Sequence, residues 1–296
     1  MRTKVGMTLH LGVSTVSVAQ QPRDTKLLGY VKTWVEPTDP AHILGPIYYV
    51  GTRGLAAYLI ATPNGHVLLD GAMPQSGHDV EASIRKLGFK PEDIRLLLIT
   101  HAHIDHAGTT AYFKKLSGAP VAVMARDFAA LESGGKTDFA YASLPAFHFP
   151  AVTAERTLRD GDSVSVGNIS LLARLGAGHT KGATTWITTV KDGGRAYRVV
   201  FPCSASVNPN YRLVVNPSYP GIADDYRRTF RMLESLAPDV FLASHPETFD
   251  FEGRRARAAT EGVSAWVDPD GYRHWLADQK TLFDQAVAKE AVGARK

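Results

Sequence analysis

The stretch His101-Ala102-His103-Ile104-Asp105-His106 decides how this chain is read. An apolar run, Leu96-Leu97-Leu98-Ile99-Thr100, precedes it, and residues 109–116 after it have helical spacing. The pattern predicts a buried strand, a loop carrying four metal-competent side chains, and then a helix. His101 and His103 are two apart, so in extended backbone they project from the same side. Asp105 and His106 fall at the helix start, where N–H groups and the dipole favour a carboxylate. A lone His is ordinarily structural. Three His and an Asp within six residues point instead to a metal site, because imidazoles and carboxylates are zinc ligands.

Two further strand-like runs end in His. Residues 169–175 lead into Gly176-Ala177-Gly178-His179-Thr180, where glycines let backbone pass close to a crowded centre. Val240-Phe241-Leu242-Ala243 leads into Ser244-His245-Pro246. The other six of the 11 His (His10, His42, His66, His78, His148 and His274) lack this context. Five strand-end His and Asp105 make six ligands, a set that suits two zinc ions.

The HxHxDH stretch resembles the signature of the metallo-β-lactamase superfamily. The resemblance implies an α/β fold: an αββα sandwich of two mixed β-sheets flanked by helices, in a single domain with the metal site at one edge. It places His101, His103 and His179 on a first zinc, and Asp105, His106 and His245 on a second. A ligand His directly after Asp105 looks like class B, subclass 3; subclass 1 takes a Cys from a later strand. Glyoxalase II and many lactonases add a metal-bridging Asp after the strand that ends here in Val199-Val200-Phe201. This chain reads Pro202-Cys203-Ser204-Ala205-Ser206 there and has no acid. Ser204 and Ser206 match the pair with which subclass 3 enzymes meet their substrate. The runs Asn216-Pro217-Ser218-Tyr219 and Asp225-Tyr226-Arg227-Arg228 also look like that subclass. Asp70 matches an Asp that supports the metal loop from behind, although an Asp after a strand also reads as a turn residue. Cys203 departs from the Asp of many members; its thiol can bind the second zinc, replace a ligand, or do neither. With a single Cys, the C-terminal disulfide of several relatives is absent.

The activity implied is hydrolysis of the β-lactam amide of penicillins, cephalosporins and carbapenems, conferring antibiotic resistance. A zinc-bound hydroxide would serve as nucleophile, so no Ser or Cys nucleophile is needed. Asp105 would ligate and orient it, and Ser206, with Ser204, would meet the substrate carboxylate. Two other readings stand beside this one: a hydrolase of the same fold acting on lactones, thioesters or phosphoesters, and a non-catalytic zinc protein.

Composition narrows the partners. The 296 residues are 44% hydrophobic and 21% charged, ordinary for a globular protein. The net charge is +4, but no Lys/Arg block suggests nucleic acid. No run approaches the ~20 apolar residues of a membrane span. Small-molecule β-lactams are the partners expected, with no obligate protein partner. Arg2, Lys4, an uncharged stretch and Ser17-Val18-Ala19 before Gln20 read as a signal peptide over residues 1–19, and hence a periplasmic protein. The alternative is a disordered or tagged start. Residues 20–46 read as an arm with little regular structure, and residues 25–296 as the metallo-β-lactamase domain. Closing helices are expected at 226–236, 254–261 and 279–292. Residues 136–150 lack a period and hold Phe139, Tyr141, Phe147 and Phe149; they read equally as a lid or as part of the core.

Overall fold

The computed structural model describes residues 32–293. The first sheet holds seven strands in chain order: β1 (Ala41–Leu44), β2 (Ile47–Tyr49), β3 (Tyr58–Thr62), β4 (Gly65–Leu69), β5 (Ile94–Leu98), β6 (Val121–Met124) and β7 (Arg156–Leu158). The second holds β8 (Ser163–Val166), β9 (Ile169–Leu175), β10 (Thr184–Asp192), β11 (Arg195–Phe201) and β12 (Val240–Phe241), also side by side in sequence order. β1 to β4 pair antiparallel and β4 to β7 parallel. In the second sheet only β11 and β12 are parallel. Both sheets are therefore mixed, as expected.

The apolar run before the His cluster forms β5, whose two faces serve two cores. Leu96 and Leu98 pack between the sheets with Trp186 and Phe201, while Leu97 and Ile99 pack outward. The outward core is closed by Val80 and Ile84 of α1 (Gly77–Lys86), and by Phe113, which lies beyond the short α2 (Ile104–Ala107) in α3 (Thr110–Ser117). A strand buried on both sides reads as an unbroken apolar run rather than an alternation. After α4 (Phe128–Glu132), helices return on the far side of the second sheet as α5 (Ile222–Glu234) and α7 (Pro269–Gly293), while α6 (Phe251–Glu261) stacks Phe251 on Tyr49 of β2 at 3.9 Å. Tyr226, Phe230 and Leu233 recur on one face of α5 and join Tyr272, Leu276 and Phe283 of α7 over that sheet. The layers are thus helix, sheet, sheet, helix.

Strand direction explains why the site forms at one edge. β4, β5 and β6 are mutually parallel. β9 is antiparallel to β10, and β10 to β11, so β9, β11 and β12 share a direction. Bonds between segments of the two sheets tie this edge together. Thr184 N–H donates to Thr100 O at 2.7 Å, Trp186 Nε1 to Ile99 O at 3.0 Å, Ala56 N–H to Ser244 O at 2.9 Å and Tyr58 OH to Ala243 O at 2.6 Å.

Some expectations need correction. The described part of the 20–46 arm contains β1, which pairs with β2 across a bulge and buries Ile43 and Leu44. The last helix begins at Pro269, ten residues earlier than its spacing suggested. Asp268 starts it by accepting the Gly271 N–H at 2.8 Å, with Pro269 at the first helical position. Asp270-Gly271 reads as a turn locally, and the cap overrides it. The aromatic segment is both core and wall: Phe149 is buried, whereas Phe147 is exposed. The expected signal at 1–19 lies outside the described residues. Among the described residues no helix is long and apolar enough to cross a membrane.

Trp186→Phe would keep most of the ring packing but leave the Ile99 carbonyl without its donor. A buried acceptor so orphaned costs about 1–3 kcal/mol. Urea denaturation should show that loss with an unchanged m-value; a loss well under 1 kcal/mol would mean that the cross-sheet bond contributes little.

Candidate metal centre

Each expected ligand stands where a strand releases the chain. β5 hands over to His101 and His103, and His106 lies in α2, with His103 as its N-terminal flank. β9 leads to His179 through Gly178, whose φ is +140° and where a Cβ would come within 2.7 Å of Tyr226 Cγ. β12 leads to His245. One nitrogen or oxygen from each of His101, His103 and His179 lies within 4.8 Å of the others. The same holds for His101, Asp105 and His106. His245 flanks this second group, with Nε2 at 3.6 Å from Asp105 Oδ2. The six residues are thus brought together, with His101 shared between the two tight groups.

Outer contacts fix which ring atom faces the centre. His179 Nδ1 meets the Ser206 carbonyl at 2.8 Å. A carbonyl only accepts, so Nδ1 carries the proton and Nε2 is left bare. His106 Nδ1 is 3.4 Å from Asp70 Oδ2, and His103 Nε2 is 3.6 Å from Asp138 Oδ2. Asp70 is itself held by Thr100, which gives its backbone N–H at 2.6 Å and its hydroxyl at 2.8 Å. Asp70 and Ala72 both adopt positive φ, 57° and 66°, as the chain turns beneath His106.

The residues fit a metal. His101 Nε2 is buried without a hydrogen-bond partner among the described residues, an arrangement that is costly unless something else occupies that lone pair. Burial, reinforced by the neighbouring imidazoles, holds His101 well below its ordinary pKa, and burial with the nearby His103 brings His179 down to about 3. Both are neutral, the form in which imidazole ligates. Burial also opposes charge on His106, but Asp105 and Asp70 outweigh it and lift His106 to about 10. Burial works against the Asp105 carboxylate too, yet His106, His245 and His103 hold it well below the usual range. A cation is therefore already favoured beside Asp105, and a metal ion can take the place of the proton.

Two acids were missed in the sequence. Asp127 is buried just after β6 and accepts the Ala102 N–H at 3.0 Å, the Thr180 hydroxyl at 2.7 Å and the Gly182 N–H at 2.6 Å. It thereby ties the 101–106 loop to the loop after His179. Burial raises its pKa and those three donors oppose the rise. Asp138, behind His103, accepts the Ala140 and Tyr141 N–H groups at 2.8 Å each. Neither has a spacing that links it to the His cluster; an Asp that opens a helix after a strand was the only local hint for Asp127.

Cys203 belongs to neither ligand group. Burial pushes its thiol up to about 11, and its Sγ packs where a Cβ on Gly176 would come within 2.2 Å. Ser204 is half-buried and Ser206 exposed, and both line a cleft of about 660 Å³ above His103, Asp105, His179 and His245. Tyr141 and Phe147 stack at 4.4 Å to form one wall, with Asn208 Nδ2 donating to Tyr141 OH at 2.7 Å.

Asp127→Asn keeps the side chain's shape but turns one acceptor into an N–H facing donors. Loss of an outer contact of this kind typically costs 10- to 100-fold in metal affinity. Chelator competition should show that drop; unchanged affinity would remove Asp127 from the positioning of the loops. Cys203→Ser should retain the metal content of the parent, measured by elemental analysis, and loss of one equivalent would bring the thiol into the ligand set.

The family model of the metallo-beta-lactamase superfamily matches residues 50–245. BJP-1, a subclass B3 metallo-beta-lactamase of Bradyrhizobium japonicum, superposes with a TM-score of 0.84 at 38% identity, covering 89% of this chain and 99% of that one. The FEZ-1 metallo-beta-lactamase from Legionella gormanii gives 0.85 at 39% identity, covering 86% and 98%. A "probable metallo-hydrolase" of Burkholderia pseudomallei is 28% identical over 171 residues, 56% of this chain and 57% of the length of that relative. With two-thirds of its length in the family model and subclass B3 enzymes among its structural neighbours, the chain belongs to the metallo-β-lactamase superfamily.

Proposed function

We propose that this protein is a zinc-dependent β-lactamase that opens the amide of penicillins, cephalosporins and carbapenems. Antibiotic resistance and export to the periplasm are part of the same reading. The observation that carries it is the convergence of six candidate ligands, four of which (His103, Asp105, His179 and His245) line a cleft that also presents Ser204 and Ser206. His101, His103 and His179 would hold one zinc ion, and Asp105, His106 and His245 a second. When bound, the ions supply Lewis acidity and make water a nucleophile near neutral pH.

The chain's own groups supply orientation. Asp105 stays ionised, so its free oxygen can accept a hydrogen bond from the attacking water and aim it. The Ser206 hydroxyl, exposed in the cleft, can donate to the substrate carboxylate, with Ser204 beside it. The stacked Tyr141 and Phe147 rings offer an apolar side chain a dry wall. Likeness to the subclass B3 enzymes supports the β-lactam; likeness to the metallo-hydrolase supports hydrolysis in general.

The test is hydrolysis of a chromogenic cephalosporin by zinc-loaded and chelator-treated protein, beside lactone, thioester and phosphoester panels. Chelator-sensitive turnover confined to the β-lactam is expected; turnover confined to another panel would replace the reading. Ser206→Ala removes the hydroxyl but keeps the carbonyl that holds His179. A hydrogen bond to a charged group is worth about 1.5–3 kcal/mol. With Ser204 compensating in part, kcat/KM should fall about tenfold, mainly through KM. A fall in kcat alone would place that hydroxyl at the reacting centre instead.

A further inference from the structure

The sequence carries 33 Lys and Arg residues, yet none of those among the described residues lines the cleft. Its one ionisable acid besides Asp105 is Glu247, in the turn after His245. Its side chain is 57% exposed, and His245 Nδ1 lies 3.8 Å from its carboxylate. Among the described residues no Lys or Arg pairs with it. The acids that follow behave differently: Asp250 meets Arg257 at 3.3 Å and Glu252 meets Arg255 at 2.6 Å. Glu247 is thus an unneutralised charge at the mouth of a cleft. The Trp34 ring lies 5.7 Å from the His245 ring at the same end, and Trp275 lines the wall. A carboxylate beside aromatic faces is the chemistry that holds an organic cation.

Resting on the β-lactamase reading, we propose that Glu247 and Trp34 form a cation-selecting subsite, so that the preferred substrates are β-lactams carrying a positively charged substituent. The substrate is then recognised as a dipole. Its carboxylate is drawn to the cleft floor and the Ser206 hydroxyl, and its cation to the Glu247 rim. Anionic or neutral substituents gain nothing at that rim.

Two measurements test this. The first compares two cephalosporins with the same acyl side chain, one bearing a pyridinium-methyl and the other an acetoxymethyl substituent. In the zinc-loaded parent the cationic compound should have the lower KM, and added salt should erode that advantage. Glu247→Gln should lower the ratio of kcat/KM, cationic over neutral, about five- to tenfold, and Glu247→Asp should restore part of it. The second is calorimetric binding of N-benzylpyridinium, which needs no turnover; Glu247→Gln and Trp34→Ala should each weaken it severalfold. A ratio unmoved by Glu247→Gln overturns the subsite. So does an equal loss on both cephalosporins together with lower zinc content, because Glu247 would then act through His245. If neither cephalosporin is hydrolysed while the probe still depends on Glu247, the cation site stands and the β-lactamase reading falls.

Discussion

The centre depends on one buried carboxylate that joins two loops. Asp127 receives a backbone N–H from between His101 and His103, a hydroxyl from Thr180 and a backbone N–H from Gly182. The loops leave different sheets and share no covalent connection shorter than the intervening chain. A buried carboxylate is tolerable only when its oxygens are satisfied, so any drift of one loop strands the charge and is resisted. Asp70 repeats the device with Thr100 and His106, and Asp138 with His103 and the Tyr141 segment. The candidate ligands are therefore placed by an outer set of acids: Asp70 after β4, Asp127 after β6 and Asp138 in the turns after α4.

The sequence made some of this legible and hid the rest for physical reasons. β5 could be read because a strand buried on both faces must be apolar throughout. The ligand loop could be read because several imidazoles cluster in one short stretch. His179 and His245 followed from their repetition of strand then His. Asp127 and Asp138 could not be found in this way, since their meaning lies in contacts to residues far off in the chain and a single Asp carries no spacing. The start of α7 was hidden because Asp270-Gly271 favours a turn locally while the Asp268 cap acts from outside the helix. Cys203 was open in the sequence because a thiol beside a metal loop has several uses; its packing against Gly176 shows it turned into the protein interior.

Charge is distributed unevenly. The chain is cationic overall, with a net charge of +4, and among the described residues two clamps draw Arg side chains away from the cleft. Arg126 and Arg228 converge on Asp225, which also accepts from Tyr219 OH at 2.8 Å, and Arg254 meets Asp268 at the start of α7. The first clamp fixes the segment between β11 and α5, the same segment that presents Ser204, Ser206 and Asn208. Among the described residues, rigid support outside the cleft goes together with a lining free of Lys and Arg.

The order of strands has a consequence for biosynthesis. All seven strands of the first sheet precede residue 159, and all five of the second follow it. A nascent chain released only as far as β7 therefore carries four of the six candidate ligands and lacks the second sheet that packs on its inner face. The segments that cover that face, β9 to β12, are the ones that deliver His179 and His245. His179 follows β9 and His245 follows β12, so the candidate ligand set is complete only once the last strand of the second sheet has been made. A chain that stops at β7 therefore lacks both His179 and His245 and the residues of the second sheet that pack on Leu96 and Leu98.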